Sequence, residues 1–316
     1  MDNSKISSKI TLTLNPEFAH EIVLGIPYAY YLHQQGRLER VITSKGMKPF
    51  YFFCKNVEER FESRTIDNQT AGLNQLPNNW IHNNSSLGLP EDEKHGVLDY
   101  SQWTPPPYTK VFTSGGFTKP HVIINNTYNI EFGNVGERPL RSFDIKSLYE
   151  MFVYFKEKGY IVIYKRPNNT EFTIDQNELN TLSSGMTLSA EVDGVGVMTD
   201  YQLCKHFDNV YTMEEVLQTN EWGGVSYNQV QLSLGSSASG FITCNGGGGI
   251  LCAYFNKPVI MYVPDGKEKR SGYLTNKNSY INKLSNASIY PIFDNPRETG
   301  VSNYDGVLGK MKEIFK

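Results

Sequence analysis

Four consecutive glycines, Gly246 to Gly249, separate an apolar run from a helix-like segment in FITCNGGGGILCAYFNKPVIMYVP, residues 241–264. A strand over Phe241 to Thr243, then glycines, a helix from Ile250 to Phe255 and a strand from Pro258 to Tyr262 make a β-α-β unit. That order commits this part of the chain to a parallel sheet. A strand that ends in glycines and continues as a helix offers free backbone N–H groups and the positive end of the helix dipole, which suits a phosphate. Glycine also permits positive φ and a close approach of ligand to main chain. The plainer reading is a tight turn without a ligand, for which two glycines would serve.

The same alternation recurs elsewhere. KITLTLN (Lys9 to Asn15) reads as a strand from its β-branched, period-two pattern. PEFAHEIVLGIPYAYYLHQQG follows with apolar residues at Phe18, Ile22, Ile26, Tyr30 and Leu32, near-helical spacing that stops at Gly36, and Pro27 should kink this helix or start its main part. ERVITSK returns as a strand. From about Phe61 to Pro120 the pattern dissolves into Asn, Pro and Gly, which reads as long loops and a linker. Order resumes with a buried strand at Val122 to Ile124. SFDIKSLYEMFVYFKEKGYIVIYKRP then predicts a helix capped by Ser142 or Asp144, with Ile145, Leu148, Met151, Phe152 and Phe155 on its apolar face. Gly159 ends it and a strand spans Tyr160 to Tyr164. FDNVYTMEEVLQ reads as strand, loop and helix start, and YNQVQLSLGSSA as an amphipathic helix.

At 316 residues with 39% hydrophobic content, the chain is long enough for two domains of roughly 150 residues. The expected division is 1–118 and 119–316, two β/α domains, with the final YDGVLGKMKEIFK helix free to pack on either. A net charge of −3, from 30 basic and 33 acidic residues, gives no field to gather nucleic acid. MDNSKISSKITLTLNP lacks the unbroken apolar core of a secretory leader and nowhere do eighteen apolar residues run together, so a soluble, non-secreted chain is expected. Four scattered cysteines, Cys54, Cys204, Cys244 and Cys252, suit a reducing, cytoplasmic setting.

A P-loop needs Lys-Ser/Thr after its glycines, and none follows here. A dinucleotide fingerprint belongs at the first β-α turn of its domain, and Leu251 occupies its last glycine position. A late glycine loop in the second of two β/α domains is better explained by a sugar-nucleotide site. The segment SASGFITCNGGGGILCAYFNKPVIMYVP, with VIINNTYNIEF, SLYEMFVYFKEKGYIVIYKRP and FAHEIVLGIPYAYYLHQQG, resembles the GT-B-fold glycosyltransferases. The resemblance is to bacterial and viral members distantly similar to fucosyltransferases and heptosyltransferases. It covers most of the second half but only the first β-α unit of the first.

The resemblance implies an α/β fold of two Rossmann-like domains facing across a cleft, the donor nucleotide-sugar held mainly by the C-terminal domain and a hydroxyl acceptor by the N-terminal one. It implies that Asn245, Gly246, Gly247, Gly248 and Gly249 hold the donor diphosphate, with Lys165 and Arg166 supplying positive charge as it leaves. The loop from Val210 to Glu214, with Tyr211 and Met213, would lie beside the base, and Asn126, Tyr128 and Asn129 would face the cleft. Relatives often carry a Lys before the tyrosine equivalent to Tyr128, where this chain has Thr127.

Transfer with inversion needs a base for the acceptor hydroxyl. His20 and Glu21, at the start of the first helix, are the candidates. The absence of Asp-x-Asp points to metal-independent chemistry with no cofactor, His33 and His206 have no ligand-spaced partners, and no Gly-x-Ser-x-Gly elbow supports a hydrolase. A non-catalytic nucleotide- or sugar-binding protein and a sugar-nucleotide epimerase are the rival readings.

Overall fold

The computed structural model describes residues 8–65, 71–76, 105–113, 115, 117–166, 187–219, 221–264, 274, 281–282 and 285–316. Strand β1 (Ile10–Thr13) leads into a continuous helix made of α1 (Phe18–His20), a π-helical turn (Glu21–Gly25) and α2 (Ile26–Gln34). Pro27 sits in the first turn of α2. It has no N–H for the carbonyl four residues earlier, and the widened turn just before it accommodates that loss. Strands β2 (Leu38–Ser44) and β3 (Val57–Phe61) complete a three-stranded parallel sheet ordered β1-β2-β3. The long Asn- and Pro-rich passage expected to form loops lies mostly outside the described residues, apart from short pieces such as α3 (Tyr108–Val111).

The larger sheet starts at β4 (His121–Asn125), followed by a hairpin of β5 (Asn129–Val135) and β6 (Arg138–Arg141), helix α4 (Ile145–Glu157) and strand β7 (Ile161–Lys165). Asp144, not Ser142, caps α4, its carboxylate accepting from the Ser147 N–H at 2.8 Å. Ile145, Leu148, Met151, Phe152 and Phe155 are all buried as the helical spacing predicts, each contributing roughly 1.5–3 kcal/mol. Gly159, at φ 73°, turns the chain into β7. A second hairpin, β8 (Ser189–Val192) and β9 (Gly196–Thr199), precedes α5 (Asp200–His206).

Strand β10 (Val210–Thr212) passes straight into α6 (Met213–Leu217) through a capping box of Thr212 and Glu215, without the expected loop. Helix α7 (Tyr227–Ser237), β11 (Gly240–Cys244), α8 (Gly247–Ala253), β12 (Val259–Val263), β13 (Ile289–Phe293), α9 (Pro296–Thr299) and α10 (Asp305–Ile314) complete the chain. The six strands are parallel in the order β10-β7-β4-β11-β12-β13. Counted within this sheet the order is 3-2-1-4-5-6, the Rossmann arrangement. Its switch point lies between β4 and β11.

Residues alternate between the faces of this sheet. Val122, Ile124, Val162, Tyr164 and Ile242 pack with α4 and α10, and Met311 of α10 and Phe315 just after it are buried there. The final helix therefore belongs to the large sheet. Ile123, Ile163, Phe241 and Met261 face the other way and join an apolar cluster that continues through α7 and α8 to Leu12, Ile22 and Phe50 of the small sheet's unit. Helix α7 is consequently not amphipathic: Asn228, Val230, Gln231, Leu232, Ser233 and Leu234 are all buried. It is covered on both sides.

Candidate functional site

Ligands of open α/β sheets bind outside the carboxyl ends of strands at the switch point. Here those ends are Asn125 of β4 and Cys244 of β11, and the glycine run follows the latter. Helix α8 begins at Gly247, three residues earlier than its apolar residues suggest. Only Gly246 has positive φ, at 131°. The other three are glycines because neighbours press close. A Cβ on Gly247 would lie 3.2 Å from the Ala19 backbone, one on Gly249 2.7 Å from the Cys244 carbonyl, and one on Gly248 would run into the Asn125 amide. Much of the run is thus explained by packing. The part with space in front of it is the turn at Gly246.

That turn carries two unusual features. Asn245 is 3% exposed, yet neither its Oδ1 nor its Nδ2 has a hydrogen-bond partner among the described residues. Leaving a buried amide unbonded costs roughly 1–3 kcal/mol per group. The second feature is Arg141, 5% exposed at the end of the β5–β6 hairpin, whose Nη1 is 3.8 Å from where a Gly246 Cβ would stand. Burial pushes the Cys244 thiol up to about 12, against a backbone hydrogen bond from Thr127 and the positive charges of Arg141 and Arg138. Arg141 was missed in the sequence, although Gly136 between two short extended runs is a hairpin signal.

Lys165 and Arg166 are otherwise engaged. The Arg166 guanidinium is paired with Asp200, Nε to Oδ2 at 2.5 Å, the two side chains 9% and 1% exposed. It stacks on Tyr128 at 4.4 Å and Tyr201 at 4.8 Å. Burial opposes its charge, Asp200 outweighs that, and the guanidinium is held above its ordinary range. Lys165 donates to Gln231 Oε1 at 2.7 Å, and burial pushes its amine down. Lys165 lines a cavity of about 30 Å³ with Asn125, Gln231, Gly248, Met213 and Cys252, room for about one water.

The expected cleft-facing residues turn inward. Asn126 is fully buried, its Oδ1 accepting from the Phe143 and Thr127 N–H groups at 2.8 and 2.9 Å and its Nδ2 donating to Tyr164 Oη at 3.0 Å. It ties β4 to the chain after the hairpin. Tyr128 is 1% exposed beneath Arg166. Asn129 opens β5 opposite Arg141, and its side chain lies outside the described residues. Met213 is buried at the cavity, whereas Tyr211 packs on Phe117 at 5.4 Å, and Phe117 in turn contacts His121 at the amino end of β4. Tyr211 and Met213 therefore do not form one base-binding group.

From the small sheet's side, α1 brings Ala19 against Gly247. His20 is next in the chain, its side chain 26% exposed and its Nδ1 3.3 Å from Glu17 Oε2. Glu21 is wholly buried. Its carboxylate accepts from Thr43 Oγ1 at 2.5 Å, Tyr51 Oη at 2.8 Å and Arg64 Nη1 at 2.6 Å.

No protein-family model and no curated protein matches the chain. Among solved structures it is similar to ADP-heptose lipopolysaccharide heptosyltransferase II of E. coli, at 9% identity over 97% of this chain and 98% of that one, with a TM-score of 0.51. The chain has the GT-B fold. A glycosyltransferase of family 9 from Veillonella parvula superposes less closely, at 9% identity over 98% of this chain and 90% of that one, with a TM-score of 0.45. Among the described residues no helix is long and apolar enough to cross a membrane.

Proposed function

We propose that the protein is a glycosyltransferase that moves a hexosyl or deoxyhexosyl group from a nucleoside-diphosphate sugar to a hydroxyl of a glycan or similar acceptor. The observation that carries the reading is the unbonded, buried Asn245 amide beside the Gly246 turn, at the switch point of a Rossmann sheet. A diphosphate there would complete the hydrogen bonding that Asn245 lacks. The GT-B fold supports the same reaction class.

In this reading Asn245 and the Gly246 turn hold the diphosphate, and the base comes from the small sheet's unit. We assign it to His20. Its imidazole is partly exposed one residue from the contact with Gly247, and the Glu17 carboxylate, 3.3 Å from Nδ1, would face the positive charge formed when the ring takes the acceptor proton. Glu21 is set aside, because both its oxygens already accept hydrogen bonds in a sealed cluster with Arg64. Asn126, Tyr128, Arg166 and Glu21 become framework residues. Metal-independent transfer, as expected from a sequence without Asp-x-Asp, is part of this proposal.

Incubation with a panel of UDP-, GDP-, ADP- and CDP-sugars tests the reading. Slow release of the nucleoside diphosphate from one of them is the expected result. Sugar interconversion would indicate an epimerase instead, and thermal stabilisation without turnover a binding protein.

A further inference from the structure

We propose that Arg141, brought in by the β5–β6 hairpin, supplies the positive charge for the donor diphosphate in place of Lys165 and Arg166. This rests on the donor-site reading above and sharpens it.

Three buried or partly buried cations stand near the carboxyl ends of β4, β7 and β11, and geometry separates them. Arg166 is saturated by Asp200 and sandwiched between two tyrosine rings; a phosphate that recruited it would strand a buried carboxylate. Lys165 points into the small apolar cavity and bonds Gln231, on the sheet face covered by α7. Of the three, only Arg141 comes within 4 Å of where a Gly246 Cβ would stand. Its Nη1 is 3.8 Å from that point, and apart from Gly246 and its two chain neighbours no other atom of the described residues comes within 4 Å of it. An oxygen seated against the bare Gly246 backbone therefore meets the guanidinium at hydrogen-bonding range.

The second observation is independent of the arginine. Asn245, in the same turn, is 97% buried by its 3% exposure and has both amide atoms unbonded. An oxyanion in the turn accepts from Nδ2 and from the guanidinium together. The charge reaches the strand end as well, since Arg141 and Arg138 both act on the Cys244 thiol after burial and a backbone hydrogen bond.

The main chain that carries the arginine is also held in place before any ligand arrives. Asn129 of β5 stands opposite it in the hairpin, and Thr127 Oγ1 donates to its carbonyl at 3.5 Å. The next residues are pinned too: Tyr304 Oη donates to the Ser142 carbonyl at 2.6 Å and the Phe143 N–H to Asn126 at 2.8 Å. With the main chain held, only the side-chain torsions of Arg141 remain to be ordered on binding. Arg138, the other hairpin arginine, pairs with Asp144 at 3.2 Å and covers the Tyr304 ring.

The test compares wild type with Arg141→Gln, Arg141→Lys and Lys165→Met by thermal shift and calorimetry. The probes are ADP, GDP, UDP, CDP, the matching nucleosides and inorganic pyrophosphate. Wild type should bind one nucleoside diphosphate, more weakly as salt rises. Arg141→Gln should weaken it at least tenfold while changing nucleoside binding less than twofold, and Lys165→Met should bind within twofold of wild type. Arg141→Lys keeps the charge and loses the fork, so an intermediate loss is expected; this variant decides the matter if Arg141→Gln does not fold. Undiminished binding by Arg141→Gln overturns the role of Arg141 and leaves the donor site standing. Failure of every diphosphate and of pyrophosphate to bind wild type overturns both.

Discussion

Arg166 and Asp200 form a buried ion pair at 2.5 Å, and the pair is a strut between strand β7 and helix α5. Asp200 also accepts from Tyr164 Oη at 2.7 Å, and Tyr164 accepts from Asn126 at 3.0 Å. The polar chain therefore runs from the end of β4 to α5. Two of its members, Arg166 and Asn126, are residues that a linear reading of YKRP and NNTYN assigns to phosphate and cleft.

Asp200→Ala should lower stability by about 3–5 kcal/mol, because Arg166 is left charged, buried and unpaired. Urea unfolding monitored by tryptophan fluorescence measures this. The double variant Asp200→Leu with Arg166→Met should recover much of the loss, since no charge then remains to be solvated. A single-variant loss under 1 kcal/mol would show that the pair is no strut.

The Glu21 cluster and His20 separate by the same logic. Glu21→Ala should cost about 3–5 kcal/mol by removing the buried carboxylate that pairs with Arg64, itself 4% exposed. His20→Ala should leave stability nearly unchanged and lower transfer, or donor hydrolysis, roughly a hundredfold or more, as loss of a general base does. Retention of nucleoside-diphosphate binding by His20→Ala distinguishes lost chemistry from a lost site. A fully active His20→Ala protein would be the falsifying outcome.

Much of the large sheet is legible in the sequence because its pattern is local. Leu148, Met151, Phe152 and Phe155 repeat at helical spacing, and Gly159 marks the stop in the residues themselves. The misreadings share a physical cause. Three glycines at the start of α8 read as loop because each costs a helix about 1 kcal/mol relative to alanine, and only the approach of Ala19, Asn125 and Cys244 reveals why a helix begins there. Helix α7 looks half polar because its Asn228 and Gln231 are buried polar residues, bonded to Gly46 and to Lys165. The engagement of Arg166 was hidden for a similar reason, since Asp200 lies thirty-four residues away. Of the candidate site, the glycine turn, Asn245 and His20 could be named from sequence, whereas Arg141 depended on the hairpin that folds it back.

The packing account of α8 makes a prediction opposite in sign to helix propensity. Gly→Ala within an ordinary exposed helix stabilises by up to about 1 kcal/mol. Here Gly249→Ala should destabilise by about 1–3 kcal/mol, the range of overpacking, because the Cys244 carbonyl at 2.7 Å is main chain and cannot step aside. Gly248→Ala should cost less, since the Asn125 side chain can move at the loss of its 3.1 Å bond to Thr243. Gly247→Ala, meeting Ala19 at 3.2 Å, should cost least. Urea midpoints rank the three. Stabilisation by all of them would leave the glycine run unexplained by packing.

The pH dependence of stability should carry the mark of His121. This residue is 2% exposed at the amino end of β4, with Nε2 3.0 Å from the Leu234 carbonyl. Burial lowers its pKa, Lys257 lowers it further, and the bond to Leu234 acts the other way. In the unfolded chain the ring takes its proton near pH 6.5. Above that pH both states are neutral and the full stability is present. Below it the unfolded state binds the proton first, so stability falls as pH drops toward the lowered folded value, at no more than about 1.4 kcal/mol per pH unit for one group. Urea unfolding at pH 7.5 and pH 5.5 should show this loss in wild type and a smaller one in His121→Gln, which does not titrate. Superimposable losses in the two proteins would remove His121 from the acid response and leave it to other groups.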